Sequence, residues 1–250
     1  MSNLIVPEWK VDPGRVRALC TTRQGGTSEA PYGDGAGGPG LNLGQHVGDD
    51  AAHVSANRAW LRTLLPSEPV WLNQVHGANV VDAGAVAGVP DADASFAATP
   101  GVVCAVLTAD CLPVLLCDLA GQVVAAAHAG WRGLAAGVLG NTVARMREGG
   151  AQQIQAWLGP AIGPRRFEVG ADVLQAFASL DPAGRHFALQ PNGKYLADIH
   201  ALARLELHAC GVDLLGGGGF CTVEDAPRFY SYRRDGVTGR MASLIWIDAL

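Results

Sequence analysis

Cys111 and His128 are the side chains whose types and placement in this sequence point most directly to chemistry. They lie in the stretch from Val102 to Gly133, VVCAVLTADCLPVLLCDLAGQVVAAAHAGWRG, the most apolar segment of the chain. CLPVLLC and QVVAAAH are apolar runs separated by Asp118-Leu119-Ala120-Gly121, which has turn-forming residues at both ends and predicts a β-hairpin. A turn centred between Leu119 and Ala120 sets Cys111 opposite His128 and Cys117 opposite Gln122. Opposed residues of an antiparallel pair have Cβ atoms roughly 5 Å apart on one face, a separation at which thiolate and imidazole can share a metal ion. Pro113 has no N–H to give to the ladder, so it requires a non-bonded position, an edge or a bulge. A bulge there would turn Cys111 and His128 to opposite faces.

A second imidazole, His76, ends the run VWLNQV and is followed by Gly77, where the backbone can turn sharply. Three chemistries compete for one Cys and two His. Two imidazoles and a thiolate make a three-ligand zinc site whose fourth position is open, the pattern of catalytic zinc. Cys111 activated by His128 would make a metal-free Cys-His hydrolase or amidase. Copper at the same residues would suit a phenol oxidase, but a multicopper enzyme needs about ten imidazoles. The chain has seven histidines, of which His46, His53, His186, His200 and His208 are scattered. Between the first two readings, His76 favours the metal, because a dyad has no need of a second histidine.

These groups must be positioned by an α/β framework. VVCAVL is β-branched and short, reading as a strand with both faces buried. Strands are also expected at Val16 to Thr22, at Val70 to Val75 before His76, in IQAWL, LLGGGGFCT and MASLIWI, with a turn at Arg23 to Gly26. Asp49 and Asp50 offer an N-cap for a helix to Leu65, with Val54, Leu61, Leu64 and Leu65 on one stripe, Asn57 and Arg58 off it, and Pro66 ending it. LAAGVLGNTVARMREGG predicts one helix after the turn at Gly133. ADVLQAFASL predicts another, and a third spans Asp198 to Cys210 with Gly211 as its stop. Helices alternate with strands to the end, which favours one α/β domain over residues 1–250 with mixed strand directions. Gly33 to Gly40, GDGAGGPG, reads as a surface loop, since no Gly-Lys-Ser/Thr follows it.

Composition narrows the functions. The 250 residues are 49% hydrophobic with formal charge −5 and no Lys/Arg block, which argues against nucleic acid or an anionic membrane as partner. MSNLIVPEWKVDPG lacks a signal-peptide pattern and no apolar run approaches a membrane span, so a cytoplasmic protein is expected. Six cysteines lie mostly in apolar runs, which favours free buried thiols over disulfides. Sixteen of the eighteen basic residues are arginine, a bias read first as compositional that also leaves rigid forks for phosphate or carboxylate. Arg23 in its turn and Arg132 in the glycine-punctuated turn before a helix are anion candidates. Two tyrosines beside two arginines in FYSYRRDG can floor an aromatic ligand.

NQVHG, the TADC-to-HAGWRG block, LGPAIGPRRFEVG and CT…FYSYRRDGVTGRMASLIW resemble the YfiH family of laccase-domain proteins, also called multicopper polyphenol oxidases. The likeness runs from Thr21 to Trp246. The resemblance implies a layered α/β/β/α sandwich related to toxin deamidases and zinc held by His76, Cys111 and His128. It further implies phosphorolysis of adenosine, inosine and methylthioadenosine together with adenosine deamination. On that reading Asp110 serves proton transfer or orients a ligand, Arg58 and Arg132 are phosphate candidates, and Arg23 and Asn42 complete the substrate-binding set. The expected partners are a purine nucleoside and phosphate, in a monomer or weak homodimer. One departure is the insertion of Gly33 to Gly40 between Pro-Tyr and Leu41-Asn42-Leu43-Gly44, which bears on substrate preference. A non-enzymatic nucleotide-binding module remains an alternative.

Overall fold

A computed structural model describes residues 4–12 and 14–249. The start of the N-terminal segment read above, Pro13 and Leu250 lie outside the described residues. In chain order the elements are β1 (Leu4–Ile5), β2 (Val16–Thr21), β3 (Gln24–Ser28), α1 (Ala51–Arg62), β4 (Val80–Asp82), β5 (Ala94–Ala97), β6 (Val103–Thr108), β7 (Leu112–Asp118), β8 (Val124–Ala129), α2 (Trp131–Ala135) and α3 (Val138–Glu148). There follow β9 (Ile154–Leu158), β10 (Glu168–Val169), α4 (Ala171–Ala176), β11 (Phe187–Leu189), β12 (Tyr195–Ala197), α5 (Ile199–Ala209), β13 (Leu214–Gly217), α6 (Tyr232–Asp235) and β14 (Met241–Ile247).

Two sheets stack face to face, one ordered β1-β2-β14-β6 and one ordered β13-β9-β7-β8-β5-β4. The second is mixed, with β13/β9 and β4/β5 parallel and the pairs between them antiparallel. Alternation along the wholly buried β7 assigns its side chains to two layers. Leu112, Val114 and Leu116 pack with Val138, Leu139, Val143 and Met146 of α3 and with Leu202 and Leu207 of α5. Leu115 and Cys117 face the other sheet, against Cys20, Val106 and Ile245. The outer face of that other sheet, through Leu19, Ala105 and Leu244, is covered by Leu61 of α1. The order of layers is therefore α/β/β/α, with strand directions mixed in the second sheet and antiparallel throughout the first.

The hairpin forms with a different register. Pro113 faces His128 and Cys117 faces Val124, in place of the expected Cys111–His128 and Cys117–Gln122 pairs. The turn is longer than two residues because the Asp118 carboxylate accepts the N–H groups of Gln122 and Val123, at 2.6 and 2.8 Å. The shift preserves parity, so Cys111, one step beyond β7, stays on the face of His128. Pro113 takes no bulge although β7 is central. Gly159 donates its N–H to Pro113 O at 2.9 Å, and the Gly159 carbonyl that a Pro113 N–H would have met instead accepts from His200 Nε2 at 3.4 Å.

Four further expectations are corrected. Val70 to Val75 forms only isolated bridges, because the Gln74 amide pairs with both backbone groups of Leu107 where a strand would have done so. The turn at Arg23 to Gly26 is instead the start of β3. The single helix after Gly133 is two, α2 and α3, broken at Gly137 with φ 86°. Asn57 lies on the buried stripe of α1 with Val54 and Leu61, while Leu64 is exposed.

Candidate metal centre

β6 belongs to one sheet and β7 to the other, and the chain crosses between them through Ala109-Asp110-Cys111. This crossing places Cys111 at the open end of the layers beside His128, the penultimate residue of β8. His76 arrives on the preceding loop. Only His76 (φ 60°) and Asp110 (φ 90°) have positive φ without being glycine among the described residues. Such backbone costs about 1–3 kcal/mol at each position and gathers where function over-determines the fold.

Cys111 Sγ lies 3.9 Å from His76 Nε2. The rings of His76 and His128 meet edge to face, with centroids 4.8 Å apart. One donor atom from each of the three residues lies within 4.8 Å of the others. Bonds of about 2.0–2.3 Å around a tetrahedral ion set donors roughly 3.3–3.8 Å apart, so a small inward movement completes the site. Among the described residues no other group of three such side chains comes together.

Asp93 organises this centre. Its Oδ1 meets His128 Nδ1 at 2.8 Å and accepts the His76 N–H at 2.9 Å, while Oδ2 accepts the N–H groups of Val75 and Gly77. The bond to Asp93 fixes His128 as the Nδ1–H tautomer and leaves Nε2 free to bind a metal. Gly130 allows the three candidate ligands to converge. A Cβ there would stand 3.1 Å from Cys111 Sγ, 3.2 Å from His76 Cδ2 and 3.4 Å from His128 Cε1. Gly133 likewise admits the Gly77 carbonyl, 2.6 Å from where its Cβ would be.

The electrostatics separate Cys111 from the other thiols. Burial pushes Cys20, Cys104 and Cys117 up to about 12, as inert core cysteines. Burial would also raise Cys111, but His128 and His76 outweigh it and hold its pKa below the ordinary value. Burial would lower His128, yet the Cys111 thiolate and the Asp93 carboxylate outweigh it and hold the imidazole above its ordinary value. Without a metal, each of the two favours the charged form of the other. A metal held here would take Cys111 as thiolate and both histidines as neutral imidazoles. A borderline-soft thiolate with two imidazoles suits zinc, and three protein ligands leave one position open.

The cavity in front of the trio has a volume of about 450 Å³ and is also walled by His46, Gln74, Leu107, Tyr232 and Arg240. The other expected site residues occupy defined places. Asp110 does not line it: Oδ1 accepts from Thr222 at 2.5 Å and Oδ2 from the Arg233 N–H at 2.7 Å, which braces the turn before Cys111. Arg23 donates to the carbonyls of Gly33 and Ala226 under Tyr230, holding the glycine-rich loop beside a separate cavity of about 820 Å³. Arg132 is exposed and stacks on the Trp131 ring. Arg58 stacks on Trp71 and donates to Leu43 O. Asn42 accepts the N–H groups of Gly44 and Arg240. Of the two tyrosines in FYSYRRDG, Tyr230 is buried with its hydroxyl on Tyr32 O, and Tyr232 stands exposed at the cavity.

Sequence reasoning missed Asp93, His46 and Arg240. Asp93 left a faint signal as an acid immediately before the fully buried strand ASFA. Arg240 had only its position between Gly239 and the buried MASLIWI.

A four-layer sandwich with a Cys-His-His centre at the sheet crossing defines the class. Residues 17–248 match the family described as multi-copper polyphenol oxidoreductase laccase, and the chain belongs to that family. It is 52% identical to a purine nucleoside phosphorylase of Pseudomonas aeruginosa and to the purine nucleoside phosphorylase YfiH of Escherichia coli, covering 99% of this chain and 100% of each relative. Among solved structures, a Neisseria meningitidis protein superposes with TM-score 0.91 at 49% identity, over 99% of this chain and 100% of that one. YlmD of Geobacillus stearothermophilus superposes with TM-score 0.85 at 32% identity, over 95% and 94%.

Proposed function

We propose that this protein is a zinc-dependent purine nucleoside phosphorylase acting on adenosine, inosine and methylthioadenosine, with adenosine deamination as a second activity. The observation that carries the reading is the convergence of His76, Cys111 and His128 on one cavity, in a chain 52% identical to proteins named for purine nucleoside phosphorolysis. Bound zinc would supply Lewis acidity at an oxygen of substrate, phosphate or water.

The chain's own groups would do the rest. Asp93 keeps the His128 imidazole oriented through Nδ1, and the cavity wall positions the nucleoside. The exposed Tyr232 ring offers a face for the purine. In phosphorolysis a phosphate oxygen bonds to C1′ as the C1′–N9 bond breaks, and the base leaves with the electron pair and takes up a proton. In deamination water adds at C6 and ammonia leaves. Asp110, with both oxygens engaged, suits a positioning role rather than proton transfer. Copper at this centre would be a single ion, short of the set a multicopper oxidase uses.

A second reading has one observation in its favour. Cys111, His128 and Asp93 are arranged as nucleophile, base and orienting carboxylate, which would suit a metal-free Cys-His hydrolase. Adenosine is incubated with and without phosphate, and adenine, ribose 1-phosphate and inosine are followed alongside zinc content. Phosphate-dependent adenine release lost together in H76A, C111A and H128A supports the leading reading. Full activity in H76A with loss in C111A would support the hydrolase. Tight nucleoside binding without turnover would leave a binding module.

A further inference from the structure

The cavity that holds the metal trio has a second, cationic wall. Arg240 is half-buried and lines it, as does His46, and Arg58 sits close enough to His46 to influence it. Arg240 Nη1 donates to the carbonyls of Thr238 and Gly239, at 3.1 and 3.0 Å, but among the described residues Nε and Nη2 meet no acceptor. No carboxylate among the described residues forms an ion pair with Arg240 or Arg58. Cys111 and then Asp110 are the acidic groups that act most on Arg240; Cys111 belongs to the metal trio, and Asp110 has both oxygens engaged elsewhere.

The backbone is built to hold Arg240 there. Asn42 Oδ1 accepts the Arg240 N–H at 2.8 Å and the Gly44 N–H at 2.9 Å, while Asn42 Nδ2 is anchored on Asp49 at 2.8 Å. Gly44 gives the side chain its room, since a Cβ there would lie 2.8 Å from Arg240 Cγ. Burial, then Arg240, then Arg58 push the His46 pKa down, which places both arginines close to His46, itself on the cavity wall. A partly desolvated arginine fork with free donors, facing a cavity beside an imidazole, is suited to a tetrahedral oxyanion.

We propose that Arg240 and His46 form the phosphate subsite of the cavity, with Arg58 adding charge behind His46 and Asn42 acting as the positioning residue for Arg240. The proposal deepens the phosphorylase reading and rests on it for the reaction, though not for the binding of the anion. It assigns the anion to residues other than the exposed Arg132, which does not line the cavity, and other than the Arg23 clamp of the glycine-rich loop. It also gives the loop from Gly33 to Gly40 a consequence, since it leads directly into Asn42 and Gly44.

The test is titration of inorganic phosphate into the zinc-loaded protein, by calorimetry or phosphorus NMR, together with the Michaelis constants for phosphate and nucleoside. R240Q is expected to weaken phosphate binding and raise the phosphate KM by at least tenfold, while zinc content and the nucleoside KM stay within twofold. R240K should recover part of the loss, because it keeps the charge without the fork. H46Q should weaken phosphate several-fold without affecting the fold, since His46 is exposed. Phosphorolysis with an unchanged phosphate KM in both R240Q and H46Q would overturn the subsite and leave the phosphorylase reading intact. Arg240-dependent phosphate binding in a protein that never cleaves nucleosides would support the subsite and overturn that reading. Failure of the wild-type protein to bind phosphate would overturn the subsite.

Discussion

Asp93 Oδ1 stands 2.8 Å from His128 Nδ1 and also accepts the N–H of His76. One buried carboxylate thus orients the ring of one candidate ligand and the backbone of another. It also stabilises the positive φ of His76, since the N–H groups of Val75, His76 and Gly77 all converge on it.

Asp93 should therefore act on metal affinity out of proportion to its distance from the ion. D93A is expected to lower zinc affinity about 10- to 100-fold, the range for losing a carboxylate behind a ligating histidine. Competition with a chromophoric chelator measures this. An affinity unchanged in a folded D93A protein would remove Asp93 from the account.

Gly130 supplies a steric test of the same centre. Its φ of −60° is one that alanine adopts, so G130A should fold. The added methyl would press on Cys111, His76 and His128 together. Zinc affinity should fall about tenfold or more, with a melting temperature measured on the metal-free protein close to that of the wild type.

Asn57 tests the scaffold behind the cationic wall. Its Oδ1 accepts from the Thr27 N–H and hydroxyl, and its Nδ2 donates to Ser28 Oγ, Gly40 O and Asn42 O. Removing a buried amide that serves so many groups leaves several of them unpaired. N57A should cost roughly 2–4 kcal/mol in denaturant unfolding, with activity loss exceeding what unfolding explains because Asn42 is loosened.

Glu206 predicts a pH dependence. It is 7% exposed, with Oε1 on the Gly140 N–H and Oε2 without a partner among the described residues. Burial pushes its pKa up from 4.5 to about 7. A raised carboxyl pKa favours the neutral folded form, so its stabilisation is complete below about pH 4.5 and is lost as pH rises through 7. E206Q should therefore gain stability relative to the wild type between pH 5 and pH 8, by up to roughly 3 kcal/mol. Urea unfolding at both pH values checks it, and a constant difference between the two proteins would contradict it.

The convergence of His76, Cys111 and His128 was legible because its signals are local: a Cys and a His at the ends of two apolar runs joined by a turn, and a His-Gly stop. The register was not, because the turn length depends on the Asp118 side chain capturing Gln122 and Val123. α1 is legible from its Asp50 cap, but the buried face of Asn57 is not, since a polar residue on a buried stripe can be recognised only when its partners are known. Asp93 and Arg240 were missed for a related reason. Each acts through contacts made across the fold, Asp93 to the loop of His76 and Arg240 to Asn42, and sequence spacing does not encode them.

The central claim is that nucleoside cleavage depends on a metal held by His76, Cys111 and His128. The most direct measurement is phosphate-dependent ribose 1-phosphate formation from adenosine, by protein stripped with a chelator and then titrated with zinc. Activity should be lost on stripping and return in proportion to zinc, saturating at one ion per chain. A stripped protein that retains full activity would contradict the account.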